Sequence, residues 1–230
     1  MLLLENRSAY FLLWLALNAK GLSVVPVNPD LRAAELAYMI AHAEPVLAIS
    51  IDSRCDELRQ AASDAGSELK VVALGQPLPA AATDICIAAR DGDPEAALLY
   101  TSGTTGNPKG CILTNAYFIE AGRRYSTATG ICALNTDGER MITPLPIFHM
   151  NAMAFSFMAM VAVGGCLTAL DRFHPRSWWA SVRASGATCL HYLGVMPSML
   201  MGAAPADDDK NHTVRFGFGA GIDPKLHDAF

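Results

Sequence analysis

Short apolar runs alternate with amphipathic stretches along almost the whole chain. LSVVPVN (22–28) has the length and the β-branched content of a strand. After it, 31–43 carries Leu36, Met39, Ile40 and Ala43 on one helical face, and Pro45 ends that helix. VLAIS (46–50) reads as a strand, 56–65 as a helix closed by Gly66, and LKVVAL (69–74) as another strand. Pro, Ala, Asp and Gly then dominate 78–94, which marks a surface connection. AALLYT (96–101) is a short apolar strand, and Thr114 is a good N-cap for a helix over 115–129. The second half repeats the rhythm. ERMITPLP (139–146), CLTAL (166–170), TCLHYLGV (188–195) and VRFGF (214–218) read as strands, with helices expected over 151–163 and 177–184. PADDDKNH (205–212) is an acidic surface loop.

This alternation predicts an α/β fold of two doubly wound, mainly parallel sheet units flanked by helices. A boundary is placed between Tyr125 and Asp137, giving units over 1–130 and 131–230. Two stretches could pass for membrane segments. AYFLLWLALNA (9–19) follows Glu5 and Arg7 instead of a basic cluster and precedes a strand, so a buried helix is expected. The long uncharged stretch 141–170 is broken by Pro144, Pro146, Asn151, Gly164 and Gly165, and its unbroken part, 152–163, is too short to span a bilayer. No transmembrane segment is expected.

Composition narrows the class. The 230 residues are 52% apolar and 17% charged, with a net charge of −5, which suits a core-rich globular protein. No Lys/Arg run is present, so nucleic acid is not an expected partner. The six cysteines are widely spaced with no C-x-x-C pair, as in an intracellular, cytoplasmic protein with reduced thiols. Neither they nor the six histidines show metal-ligand spacing, and no metal site built from them is expected.

The stretch YTSGTTGNPKG (100–110) directly follows a predicted strand. A Gly-rich turn there frees backbone N–H groups and lets them approach a ligand closely. Thr101, Ser102, Thr104 and Thr105 add hydroxyls, Gly103 and Gly106 add freedom, and Lys109 adds positive charge; together they suit a polyphosphate. It is not a Walker A loop, because Pro108 stands where the second Gly belongs and Gly110 follows the Lys. It is not a hydrolase elbow, because Tyr100 stands two places before Ser102. The bland alternative is a Gly/Thr surface turn with no ligand. Two further candidates are His149, where the chain leaves a sheet after Pro-x-Pro, and Gly219-Ala220-Gly221, between a strand and Asp223-Pro224.

YTSGTTGNPKG resembles the phosphate loop of the adenylate-forming superfamily, which includes acyl- and aryl-CoA ligases, firefly luciferase and peptide-synthetase adenylation domains. The likeness extends to 6–49, to PLPIFHMNAM (144–153) and to FGAGIDPKLHDAF (218–230). Within the superfamily the Met/Phe-rich segment from Phe148 to Trp179 is similar to carnitine/crotonobetaine-type and fatty acyl-CoA ligases. The resemblance implies ATP, Mg²⁺ and CoA, and a small carboxylate or acyl substrate activated as acyl-AMP. It implies catalytic roles for Thr104, Lys109 and His149. It also implies nucleotide binding by Thr101, Ser102, Gly103, Thr104, Thr105, Gly106, Lys109, Gly219, Ala220 and Gly221. The Met/Phe-rich helix after His149 lines an acyl pocket or is core; both readings stand.

The family's downstream Y-G-x-T-E segment, whose Glu helps hold Mg²⁺, its ribose-binding Asp and its adenylation Lys have no equivalent here, and MLLLENR resembles the inside of a family strand. The expectation is therefore a fragment of the large N-terminal domain, with a helix over 223–230 cut short. Two function readings remain: part of an acid–CoA ligase, or a catalytically incomplete nucleotide-binding or scaffold domain. An acyl-AMP enzyme that never uses CoA is a third. The acid activated and any homo-oligomeric state are left open.

Overall fold

A computed structural model describes residues 1–80, 92–101, 107–226 and 228–230. These form two compact units, Met1–Tyr117 and Phe118–Phe230.

The first unit runs β1 (Leu2–Leu3), α1 (Ser8–Ala19), β2 (Pro26–Val27), α2 (Ala33–Ala43), β3 (Leu47–Ser50), α3 (Cys55–Asp64), β4 (Lys70–Ala73), β5 (Glu95–Thr101) and β6 (Lys109–Thr114). Strands β2-β1-β3-β4 lie in that order in one sheet and every pairing is parallel. A parallel sheet is covered on both faces, which is why Leu2 and Leu3 on its inner strand have no exposure. Leu36 and Ile40 of α2, Ala48 of β3 and Leu58 of α3 close the core on one side. α2 stops where Glu44 turns left-handed (φ 46°), because the ring of Pro45 disfavours a helical residue before it. α3 is followed by Gly66 at φ +65°, a conformation open to glycine at little cost.

Three expectations change here. α1 buries Tyr10, Phe11 and Trp14 but leaves Leu12 68% exposed, so only one face of this apolar helix is buried. Only Pro26–Val27 of the expected strand over 22–28 is extended in the sheet; Val24 instead bridges β5, donating its N–H to the Ala96 carbonyl (3.1 Å) and accepting from Leu98 N–H (2.8 Å). Residues 109–114 form a strand that was not expected, paired antiparallel to β5 in a two-stranded hairpin. Most of the expected connection over 78–94 lies outside the described residues.

α4 (Asn115–Ser126) starts one residue after Thr114, whose Oγ1 accepts the Tyr117 N–H at 3.3 Å, and ends three residues short of expectation. The second unit then runs β7 (Arg140–Thr143), a π-helical segment (Asn151–Phe157), α5 (Met158–Val163), β8 (Cys166–Ala169), α6 (Trp178–Ser185), β9 (Cys189–Leu193), α7 (Val195–Met201) and β10 (Phe216–Ala220). The strand order is β10-β9-β7-β8, all parallel. Side chains of a strand alternate between faces, and each face carries its own core. Met141 and Cys189 pack with Ala159, Met160 and Phe216 on one side; Ile142 and Leu190 pack with Trp178, Val182 and Met196 on the other. The sheet is thus doubly wound.

The single helix expected over 151–163 is therefore a π-helical segment followed by a short α-helix. α7 was not expected, and Pro197 within it sits in the first turn, where no N–H is needed. Of the expected helix over 223–230, the described residues show one 3₁₀ turn, Pro224–Leu226. Among the described residues no helix is long and apolar enough to cross a membrane.

Just before β7, at the amino ends of the parallel strands, Glu139 is buried. Its carboxylate accepts hydrogen bonds from Asn135 N–H and the Thr188 hydroxyl, and Arg215 Nη2 pairs with it at 2.6 Å. Burial works against its charge, but these donors outweigh burial and hold its pKa below the usual carboxylate value.

Candidate functional site

Two groups of residues carry the candidate chemistry, one in each unit. In the first, β5 and β6 pair as the two arms of a hairpin, and the Gly/Thr-rich stretch lies between them in sequence. The register pairs Thr101 with Lys109 and Tyr100 with Gly110. Directly opposite residues of an antiparallel pair share a face, so the Thr101 hydroxyl and the Lys109 ammonium belong to the same side of the hairpin mouth. Both are exposed. Ser102, Gly103, Thr104, Thr105 and Gly106 lie outside the described residues. Gly110 packs closely: a Cβ there would meet Leu98 Cδ1 at 2.9 Å and that side chain would have to shift.

α2 braces the hairpin from one side. Tyr38 Oη donates to the Pro108 carbonyl at 2.9 Å, and the Tyr100 hydroxyl and His42 Nδ1 share a 2.6 Å hydrogen bond. Desolvation first, and then the nearby Tyr38, raise the Tyr100 pKa. Nothing in the sequence flagged this trio. The only available signal was Tyr38 and His42 at the i, i+4 spacing of one helix face.

In the second unit, all four strands point the same way, so their carboxyl ends share one edge of the sheet. The chain leaves β7 at Thr143 and reaches His149, whose N–H donates to the Pro146 carbonyl (3.1 Å) and whose carbonyl accepts from Met153 (3.0 Å). His149 is exposed, with the Phe148 ring 5.0 Å away; partial desolvation lowers its pKa below the ordinary histidine value. At the same edge β10 ends in Gly219 and Ala220, both exposed, and Gly221 follows with φ +69°. Gly219 has a second reason to be glycine, because a Cβ would sit 2.6 Å from the Tyr192 ring. Gly194, leaving β9, donates its N–H to the Ala220 carbonyl at 2.8 Å. The structure thus brings His149 and the 219–221 turn to one sheet edge, and Thr101 and Lys109 to one hairpin mouth.

One residue escaped the sequence reading. His191, inside the apolar strand β9, is 3% exposed and shares a 2.6 Å hydrogen bond with the Ser156 hydroxyl of the π-helical segment. Tyr125 and Phe218 lie at 6.0 and 6.3 Å from its ring. Burial pushes its pKa down to about 4, so it is neutral near pH 7. Among the described residues no three His, Cys, Asp or Glu side chains gather as metal ligands.

Parallel sheets flanked by helices in both units define an α/β protein. Residues 1–230 match the family model described as AMP-binding enzyme, and the chain belongs to that family. It is 28% identical over 227 residues to the crotonobetaine/carnitine–CoA ligase of Salmonella arizonae, covering 92% of this chain and 43% of that protein. It is 28% identical over 238 residues to a very long-chain fatty acid transport protein of Cochliobolus heterostrophus, covering 98% of this chain and 36% of that protein. Among solved structures it is similar to MatB from Rhodopseudomonas palustris. The apo form has a TM-score of 0.76 at 23% identity over 99% of this chain and 45% of that one. The ATP-bound form has a TM-score of 0.73 at 23% identity over 95% and 43%. The chain thus spans less than half the length of these relatives.

Proposed function

We propose that these residues are part of an ATP-dependent acid–CoA ligase that activates a carboxylate as acyl-AMP and passes the acyl group to CoA. The observation that carries the proposal is the β5–β6 hairpin. It sets Lys109 across from Thr101 at the mouth of the loop whose sequence resembles the family's phosphate loop, in a chain that matches the family from end to end. In this reading Thr101, Ser102, Gly103, Thr104, Thr105, Gly106 and Lys109 hold the ATP phosphates, with Thr104 and Lys109 countering charge as the α-phosphorus is attacked. Gly219, Ala220 and Gly221 supply a flat surface for the adenine, and His149 borders the acyl group. A developing negative charge is stabilised by fixed donors and a nearby cation, the role given to the loop here.

A second reading rests on the exposed Thr101 and Lys109 at the hairpin mouth by themselves. In it, this polypeptide binds nucleotide without completing adenylation. ATP–pyrophosphate exchange over a panel of carboxylates, run beside direct ATP titration, separates the two. Exchange supports the ligase; ATP binding without exchange supports the second reading; neither signal overturns both. Lys109→Ala should weaken ATP binding about tenfold, the value of one charge-assisted hydrogen bond. Undiminished binding by that variant refutes the loop assignment.

A further inference from the structure

We infer that the carboxyl edge of the first unit's sheet carries a separate binding site, in which Asp52 and Arg7 take the ammonium and the carboxylate of a small aliphatic zwitterion. The site uses none of the residues given a role above, so it does not depend on the proposed activity.

Its position follows from the strand order. In β2-β1-β3-β4 the chain leaves β1 for β2 on one side, then crosses back to lay β3 on the other. Such a reversal opens a crevice at the carboxyl ends of the two flanking strands, the usual place for a ligand in an open parallel sheet. Here those strands are β1 and β3, paired with Leu3 opposite Ser50. Glu5 and Asp52 each follow two residues later. A cavity of about 470 Å³ lies there, lined by Glu5, Arg7, Ile51, Asp52, Ser53 and Leu74. The backbone around it is held by the last bonds at that edge: Ile51 N–H donates to the Leu3 carbonyl at 3.2 Å, and Leu74 N–H to the Ser50 carbonyl at 2.8 Å.

The lining defines the ligand class. Arg7 Nη2 pairs with Glu5 at 2.5 Å, which holds the guanidinium at the cavity. Arg7 Nε is buried and makes no hydrogen bond. A buried donor without a partner has lost its water with no return, and an anionic ligand oxygen restores that bond in charge-assisted form. Asp52 is exposed, and among the described residues its carboxylate has neither a hydrogen bond nor an ion pair. With Glu5 neutralised by Arg7, the cavity offers one free carboxylate, one unpartnered guanidinium N–H and the Ser53 hydroxyl, beside the apolar side chains of Ile51 and Leu74. A plain cation leaves the Arg7 donor unmet, and a plain anion faces the Asp52 charge. A molecule with both charges and a short aliphatic body answers every group.

The test titrates the unaltered chain, Asp52→Asn and Arg7→Gln with three probes of one carbon skeleton. These are leucine, isoamylamine, which lacks the carboxylate, and 4-methylpentanoate, which lacks the amine. Binding is read by saturation-transfer NMR, with Tm recorded for each protein. Leucine should bind more tightly than either single-charged probe. Asp52→Asn should weaken leucine and isoamylamine about three- to fivefold and leave 4-methylpentanoate no weaker. Arg7→Gln should weaken leucine and 4-methylpentanoate by a similar factor and leave isoamylamine no weaker. No leucine binding up to its solubility limit would overturn the inference. So would equal affinities for the three probes, or leucine affinity unchanged in Asp52→Asn, which would put the binding elsewhere. Asp52 is exposed, so its variant keeps the fold; if Arg7→Gln shows a lowered Tm, Asp52→Asn against the three probes decides alone.

Discussion

Acid should unfold the second unit through His191. This ring is buried against Tyr125 and Phe218 and bonded to Ser156, with a folded pKa of about 4 against an unfolded value near 6.5. Because the folded value is the lower one, the unfolded chain takes up the proton first. Stability is complete above pH 6.5 and is lost as pH falls towards 4. Linkage gives a loss of about 2 kcal/mol at pH 5 and about 3 kcal/mol below pH 4 from this single site. A buried imidazolium would also lose whatever hydrogen bond Ser156 donates to the ring, so local repair cannot easily lower that cost.

The assay is urea unfolding of the chain and of His191→Gln at pH 7 and pH 5, followed by far-UV circular dichroism. Glutamine keeps a polar group for Ser156 and does not titrate. Each protein is compared with itself at two pH values, so any fixed cost of the substitution cancels. The other histidines, His149 among them, contribute equally to both. The unaltered chain should lose about 2 kcal/mol more than His191→Gln between pH 7 and pH 5. Equal losses would refute the reasoning, because they would place the acid sensitivity elsewhere.

Two further substitutions test the packing of the same unit. Gly122→Ala should gain about 1 kcal/mol of helix propensity in α4, yet its Cβ would sit 2.6 Å from the Met158 carbonyl oxygen, and that backbone cannot turn aside. Overpacking of this kind costs about 1–3 kcal/mol, so the net effect in thermal unfolding should be a Tm lower by several degrees; a raised Tm would contradict the close approach. Glu139→Ala should cost about 3 kcal/mol in urea unfolding, because it strips the acceptor from Asn135 N–H, the Thr188 hydroxyl and Arg215 together. A cost below about 1 kcal/mol would show that solvent replaces that acceptor.

The α/β class and the doubly wound second sheet were legible because periodicity reports which residues face a core, and both faces of these sheets are buried. What escaped did so for local reasons. β6 was missed because Ile112 is 65% exposed and Cys111 is also exposed, so the strand has no clear buried alternation and hides behind the glycines of the loop. The π-helical segment was missed because no side-chain pattern distinguishes i→i+5 from i→i+4 bonding over seven residues. His191 was invisible because a polar residue within an apolar strand is read as part of the run; only its tertiary partner, Ser156, gives it meaning. The candidate site followed the same division. Thr101 and Lys109 could be named from the motif, but their direct pairing depends on β6. The contacts from Tyr38 and His42 join residues 70 and 58 positions apart.

The second sheet adds an argument about location that no motif contains. Its order, β10-β9-β7-β8, means that the chain leaves β7 towards β8 on one side and later returns to place β9 on the other. In an open parallel sheet such a reversal opens a crevice at the carboxyl ends of the two strands flanking it, and ligands of α/β proteins bind there. Here the flanking strands are β7 and β9. The connection after β7 carries His149 and then the π-helical segment, a form of helix often found at functional sites. The connection after β9 begins at Gly194, where a Cβ would collide with the Gly221 carbonyl at 1.9 Å. The backbones leaving β9 and β10 therefore touch at that edge, and only a residue without a side chain permits it. Both features lie where topology alone would place a ligand. The role proposed for His149 thus draws on the sheet order as well as on resemblance. Gly194→Ala should accordingly disturb the Gly219–Gly221 turn before it disturbs the core.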